Sequence, residues 1–287
     1  MNDIRQLAVL GAGTMGRGIA QTAAAAGIDV TLHDLSPDLL HTALDAICAT
    51  LDEAVDRRKF SPVFRDVILD RIHPVADFAA AVAAVDLAIE SVPEFLPLKL
   101  EIFRRLDAAA PPAAILATNT SALPVAEIAA VTSRPDRVLG LHFFNPVPLM
   151  PLLEVVRTEA TAHQTIDTAV SLAYRLAKQP IVVRDSPGFA TSRLGLAIGL
   201  EAMRMLEQGV AAAEDIDRAM TLGYRHPLGP LRLTDLVGLD VRLAVAEHLY
   251  QTLGTDTFRP PEILRRLVAA GMLGKKAGEG FYRWEEE

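Results

Sequence analysis

Hydrophobic positions in this chain change period along its length, and the change divides it in two. Four apolar residues run from Leu7 to Leu10 and end in a glycine turn, helix formers follow from Ile19 to Ala26, and Val30 to His33 reads as a second strand. Short continuous apolar runs between longer helical stretches mark strands buried on both faces, with each helix returning the chain to begin the next parallel strand. The same reading gives strands at 85–90, 114–119, 138–143, 152–156 and 181–183. Helices are predicted at 37–71, broken near Ser61-Pro62, and at 97–109, 125–130 and 165–177, with an Ala-rich helical stretch at 79–84. After residue 185 the period is helical almost throughout, with helices at 194–208, 213–220, 240–252 and 261–270. The pattern predicts a doubly wound, mainly parallel α/β sheet of the Rossmann type over 1–185, then an all-α domain over 186–287.

The turn after the first strand carries the clearest chemistry. Gly11-Ala12-Gly13-Thr14-Met15-Gly16 is G-x-G-x-x-G placed between a strand and a helix. Gly11 permits the tight turn, Gly13 lets backbone approach a pyrophosphate, and Gly16 lets the helix pack close to the strand. The N–H groups of that helix start, including those of Thr14 and Met15, offer partial positive charge to phosphate oxygens. Asp34 ends the second strand 18 residues after Gly16 and can accept hydrogen bonds from ribose hydroxyls. It would repel a 2′-phosphate, and Leu35-Ser36-Pro37 supplies no Arg to hold one, which favours NAD over NADP. Asp34 can equally cap the helix that follows.

Composition narrows the class. Hydrophobic content of 51% against 22% charged residues describes a chain that folds into a packed core. A net charge of −8 disfavours non-specific nucleic-acid binding. The single cysteine, Cys48, excludes an intramolecular disulfide and a cysteine-based metal site, and its helical surroundings suit a small packing residue. No metal site is expected. No apolar run reaches the length of a membrane span and no signal segment opens the chain, so the expected location is the cytoplasm. The first long helix after 190 offers more apolar surface than a small domain can bury, which predicts a homodimer through the helical domain.

The residues also carry a family resemblance. It rests on Gly11 to Gly16, on Ile89-Glu90 followed by Lys99, and on Ala117-Thr118-Asn119-Thr120-Ser121. Gly140-Leu141-His142-Phe143-Phe144-Asn145-Pro146 with Glu154-Val155-Val156 adds to it. The helical half contributes Ser186-Pro187-Gly188-Phe189, His226-Pro227-Leu228-Gly229-Pro230 and the tail from Gly274 to Tyr282. In these motifs, across essentially its whole length, the chain resembles the 3-hydroxyacyl-CoA dehydrogenases, in particular the short bacterial 3-hydroxybutyryl-CoA type of fatty acid metabolism. The resemblance implies reversible oxidation of an L-3-hydroxyacyl thioester by NAD.

That reaction needs a base for the hydroxyl proton, and histidine suits the task. His142 sits in an apolar strand, and Glu154 follows in the next one. If the two strands pair, the carboxylate can fix the ring's tautomer and orientation, as the acid does in a Ser-His-Asp triad. His142 alone could be a satisfied core histidine. Ser121 lies at the C-terminal edge of the sheet, where the resemblance places it beside the substrate hydroxyl; it could also cap a helix. Asn145, in the loop after His142, can donate to a substrate or nicotinamide carbonyl or cap its turn. The resemblance places Asn119, Glu90 and Lys99 along the nicotinamide ribose, and Arg57 and Lys59, in the run Arg57-Arg58-Lys59, near the CoA phosphates. That run could instead be a solvated face. Lys275-Lys276 is a weaker cationic candidate. Ser192 stands where the family has an Asn that helps hold the substrate, which leaves the substrate's identity open. A carrier-protein-bound or free hydroxy acid, and a non-catalytic NAD-binding protein of crystallin type, remain as alternatives.

Overall fold

The protein is described by a computed structural model over residues 3–284. Along the chain it divides into two units between Ser186 and Pro187. The first unit is built on one sheet of eight strands. In chain order its elements are β1 (Gln6–Leu10), α1 (Thr14–Ala25), β2 (Asp29–His33), α2 (Pro37–Asp56), α3 (Pro62–Asp70), β3 (Ile72–Pro74), α4 (Phe78–Val82) and β4 (Leu87–Glu90). There follow α5 (Leu96–Ala109), β5 (Ile115–Thr118), α6 (Val125–Ala130), β6 (Val138–His142), β7 (Leu152–Arg157), α7 (His163–Arg175) and β8 (Gln179–Arg184).

The strand order is β3-β2-β1-β4-β5-β6-β7-β8. Neighbours run parallel except β6 and β7, which are antiparallel. Successive strand residues feed opposite faces, as the pleat requires. Leu7, Val9, Leu87 and Ile89 enter the core beneath α1, while Ala8, Leu10, Ala88 and Leu116 enter the core beneath α5. Two buried faces explain why the strands read as unbroken apolar runs. The helices start where the sequence punctuates them: Ser36 caps α2 and Ser61 caps α3, each followed by a proline whose fixed φ suits the first helical turn. The cap on α2 is therefore Ser36 and not Asp34. β3 escaped the sequence reading because three residues ending in Pro74 are too short to show a period.

The second unit, described by itself, holds α8 (Thr191–Glu207), α9 (Ala213–Arg218), α10 (Pro230–Val237), α11 (Leu239–Leu253) and α12 (Glu262–Ala269) around one core. A π-helical turn, Ala219–Gly223, continues α9, as the expected helix to residue 220 required in part. α10 is not among the helices expected from the sequence, and Pro227, Gly229 and Pro230 stand at its start. Its start is held from a distance: buried Asp217 accepts from the N–H groups of Leu231 and Arg232 at 2.8 and 2.9 Å, and from the Tyr282 hydroxyl. Burial, and then the bond to Asp217, push the Tyr282 phenol above its ordinary value. Asp235, on α10, accepts from Phe281 N, Tyr282 N and Trp284 Nε1, each at 2.9 Å, and so straps the tail onto the helix. Cys48 is half-buried on α2. Among the described residues no helix is long and apolar enough to cross a membrane.

Two changes test this account of α10. A Cβ on Gly229 would collide with the Asp217 side chain, and Asp217→Ala would strand one buried N–H, one part-buried N–H and a hydroxyl. Asp217→Ala should lower stability by about 2–4 kcal/mol in denaturant unfolding, and Gly229→Ala should lower the thermal midpoint too. Wild-type stability in both would remove Asp217 as the distant cap.

Candidate active site

The C-terminal ends of β1, β4, β5 and β6 open on a crevice of about 1120 Å³. One end is formed by the glycine turn. Gly11 has φ of +103°, and a Cβ there would come within 2.6 Å of the Ser91 carbonyl oxygen. A Cβ on Gly16 would collide with the carbonyl of Gly11, so α1 can lie this close to β1 only with glycine at both positions. Gly13 caps α1 in extended conformation with nothing within 4 Å of its missing Cβ. No side chain caps this helix and no acid lies in its first turn. Thr14, Met15 and Arg17 line the crevice beside it. An open backbone approach, an uncapped helix start and a nearby guanidinium fit a dinucleotide pyrophosphate. Asp34 Oδ2 accepts from Ala12 N at 2.8 Å and Oδ1 from Leu35 N at 2.7 Å, which aims the carboxylate across the crevice wall. Its remaining lone pairs suit a diol, in keeping with NAD.

The other end holds the titratable groups. His142 closes β6 and stands opposite Glu154 on antiparallel β7, so the sheet register itself makes the two side chains neighbours. Nδ1 of His142 lies 2.6 Å from Oε2 of Glu154, and both side chains are buried. A carboxylate only accepts, so Nδ1 carries the proton of this contact, and in a neutral ring the lone pair falls to Nε2. The Phe144 ring packs on the imidazole with centroids 4.4 Å apart. Asn119 Oδ1 accepts from Phe143 N at 2.9 Å, tying the end of β5 to the residue after the histidine. Ser121, His142 and Asn145 all line the crevice.

The loop carrying Asn145 is held from below. Buried Lys178 donates to the carbonyls of Val147 and Met150 at 2.5 and 2.8 Å, and burial lowers its pKa from the ordinary lysine value. On the other side, a Cβ on Gly18 of α1 would come within 2.9 Å of Val147. The loop is thus pinned between the glycine-turn helix and a buried ammonium.

Some sequence candidates lie elsewhere. Glu90 and Lys99 do not line the crevice: they form a fully buried ion pair at 2.6 Å beneath it. Glu90 is turned inward because it also accepts from Thr118 Oγ1 at 2.7 Å and Val92 N at 2.8 Å. Arg57 and Lys59 lie on an exposed turn after α2, with Arg57 paired to Glu53, and neither lines the crevice. The turn arises because α2 ends at Asp56, before the cationic run, and Arg58 takes a positive φ. Ser192 is the second residue of α8, in the helical unit. Lys276 is paired with Asp240. Among the described residues no cluster of His, Cys, Asp or Glu is placed to hold a metal.

Glu94 was missed. It lines the crevice and gathers the residues after β5: its Oε1 accepts from Thr120 Oγ1 at 2.5 Å, Ser121 N at 2.8 Å and Ser121 Oγ at 3.2 Å, and Oε2 lies 3.4 Å from Lys99 Nζ. Burial alone would raise its pKa, but the Lys99 charge and these donors outweigh it and hold the carboxyl below the ordinary value. The available signal was an acid just past the C-terminal end of a strand, where open α/β sheets bind ligands.

Comparison with known proteins gives the family. Residues 6–186 match the family model "3-hydroxyacyl-CoA dehydrogenase, NAD binding domain", and residues 188–284 match "3-hydroxyacyl-CoA dehydrogenase, C-terminal domain". The chain is 43% identical over 285 residues to a probable 3-hydroxybutyryl-CoA dehydrogenase of Bacillus subtilis, covering 99% of each. It is 42% identical over 290 residues to a 3-hydroxybutyryl-CoA dehydrogenase of Mycobacterium tuberculosis, covering 99% of this chain and 100% of that one. The crystal structure of (S)-3-hydroxybutyryl-CoA dehydrogenase PaaH1 from Ralstonia eutropha superposes with a TM-score of 0.96 at 39% identity, over 99% of this chain and 100% of that one. The chain belongs to the 3-hydroxyacyl-CoA dehydrogenase family of NAD-dependent oxidoreductases.

Proposed function

We propose that this enzyme reversibly oxidises a short L-3-hydroxyacyl-CoA, such as 3-hydroxybutyryl-CoA, to the 3-ketoacyl-CoA, with His142 and Glu154 as its acid–base pair. The observation that carries the reading is the 2.6 Å contact between those two side chains at the wall of a crevice whose other end is a glycine turn. NAD, when bound, supplies the hydride acceptor. Nε2 of His142 takes the hydroxyl proton in oxidation and returns it in reduction. Glu154 holds the imidazole with Nε2 toward the crevice and stabilises the imidazolium that forms, a favourable term in a site this buried. Asn145 donates to the substrate oxygen, and so does the Ser121 hydroxyl once it turns from Glu94. Gly11, Gly13, Thr14, Met15, Gly16 and Asp34 hold the dinucleotide, with Asn119 and Glu94 on its nicotinamide side. Glu90 and Lys99 act beneath the floor by fixing the segment that carries Glu94. Ser192 takes the substrate-holding role of the Asn whose place it fills, and Arg57 and Lys59 answer to the CoA phosphates through long side chains. A carrier-protein thioester would use the same acid–base pair, and Arg57 and Lys59, standing clear of the crevice, leave that choice to experiment.

A homodimer fits the exposed apolar residues of the helical unit. Leu194 is 66% exposed, Leu222 74% and Tyr224 76%, with Leu233, Leu236 and Val237 of α10 also open. Isolated apolar residues are ordinary on a surface, but this many in one small unit suit a second copy.

In a spectrophotometric NADH assay, His142→Gln should lower kcat by about 10²–10⁴-fold while the NAD dissociation constant, read by fluorescence, stays within a factor of about two. A fully active variant removes the histidine as the base. Glu94→Gln should change the acid side of stability. A carboxylate whose folded pKa lies below its unfolded value contributes stability that is complete above the unfolded pKa and is lost as pH falls through the folded one. The wild type should therefore lose thermal stability more steeply below about pH 4.5 than Glu94→Gln does; parallel curves would contradict the assignment. Light scattering should give the mass of two chains, and Leu222→Asp with Tyr224→Asp should give one. A monomeric wild type rules the dimer out.

A further inference from the structure

Arg242 is a cation in a place where a cation is costly. It lies on α11, and its Nε is buried without a hydrogen-bond partner. Among the described residues no carboxylate pairs with its guanidinium, and burial, with no acid to offset it, lowers its pKa from the ordinary arginine value. The neighbouring acid two residues earlier, Asp240, is already engaged: both its oxygens lie 2.6 Å from Lys276 Nζ. An arginine keeps its charge at any ordinary pH, so the site cannot relieve itself by losing a proton. Arg242 is half-buried, with Nε its one nitrogen fully withdrawn from water; a guanidinium held so without a counter-charge lowers stability, and departures of this kind are expected at functional sites.

The fully buried charges show the contrast. Lys99 faces Glu90, Lys178 has two carbonyls, and Asp217 and Asp235 each accept three hydrogen bonds. Arg242 points toward α8: its Nη1 lies 3.7 Å from where a Cβ would stand on Gly195. Gly195 follows Ser192 by three residues and so shares its face of the helix. Within the helical unit, the guanidinium therefore borders the face bearing Ser192, the residue that the proposed function gives to the substrate.

We infer that Arg242 is a subsite for a carboxylate carried by the acyl part of the substrate, so that the enzyme takes a hydroxyacyl group with a terminal negative charge. The inference rests on the proposed function for what Ser192 touches. A planar guanidinium matches a carboxylate through two parallel hydrogen bonds, and since the proposed function gives the CoA phosphates to Arg57 and Lys59, a cation beside Ser192 is left for the acyl group.

The test compares three six-carbon substrates with NAD: L-3-hydroxyhexanoyl-CoA, the L-3-hydroxyacyl-CoA of the same length ending in a carboxylate, and the free L-3-hydroxyhexanoic acid. The wild type should favour the carboxylated thioester over the neutral one by about tenfold or more in kcat/KM, the range of one charge-assisted hydrogen bond. Arg242→Met should collapse that ratio toward unity, and Arg242→Lys should keep part of it. Adipate, as a free dicarboxylate, should raise the thermal midpoint of the wild type and not of Arg242→Met. A wild type that prefers the neutral thioester, or a ratio unchanged in Arg242→Met, overturns the subsite. So does an Arg242→Met protein whose only change is weaker dimerisation, because the guanidinium would then answer to a second copy. Turnover of the free acid in place of both thioesters, with the adipate shift present in the wild type and absent in Arg242→Met, would leave the subsite standing and sink the proposed thioester substrate. No turnover and no adipate shift would remove both.

Discussion

The register between β6 and β7 is the constraint on which the site depends. Seven neighbouring pairs join the eight strands of this sheet, and a single pair is antiparallel. That pair sets His142 directly across from Glu154. Side chains on facing residues of an antiparallel pair share a face and stand close, so a rigid backbone, and not a mobile loop, brings imidazole and carboxylate together. A slip by one residue would send Glu154 to the opposite face of the sheet. The loop that makes the reversal is held by Lys178 below and by Val147 against Gly18 of α1. The helix that starts at the glycine turn therefore also steadies the segment following the histidine.

Buried charge recurs at every level of this molecule, and its partners differ with its task. In the floor of the crevice, Glu90 and Lys99 satisfy each other and fix the backbone from which Glu94 reaches Thr120 and Ser121. In the helical unit, Asp217 and Asp235 do the work of caps and straps, holding α10 and the tail by backbone and side-chain donors. Such groups are stabilising because both oxygens of each carboxylate find a donor; the same carboxylates left unsatisfied would destabilise what they now hold. Arg242, half-buried and with no counter-charge, departs from this rule, and it is the departure that gives it meaning.

Much of the fold was legible because it rests on local rules. The glycine turn, the unbroken apolar strands and the serine–proline helix starts each act over a few residues. The neighbourly relation of His142 and Glu154 was legible too, as two polar residues in apolar strands joined by a short proline-rich loop. What stayed hidden depends on partners distant in sequence. α10 is absent from the expected helices because what holds its start, Asp217, lies 14 residues before Leu231. Glu90 looked like a crevice residue because its strand ends at the crevice; only the positions of Lys99 and Thr118 turn it inward. Glu94 was passed over because nothing in its immediate surroundings tells that the turn after β5 folds onto it. Arg57 and Lys59 were placed on a helix that stops one residue earlier.

The central claim is that His142 and Glu154 act as one unit in moving the substrate's proton. A double-mutant cycle on kcat/KM measures it most directly, with His142→Gln, Glu154→Gln and the pair compared under the same conditions. The account predicts that Glu154→Gln slows the wild type by about a hundredfold or more but adds little once His142 is gone. Losses that simply multiply would show two independent residues and contradict it.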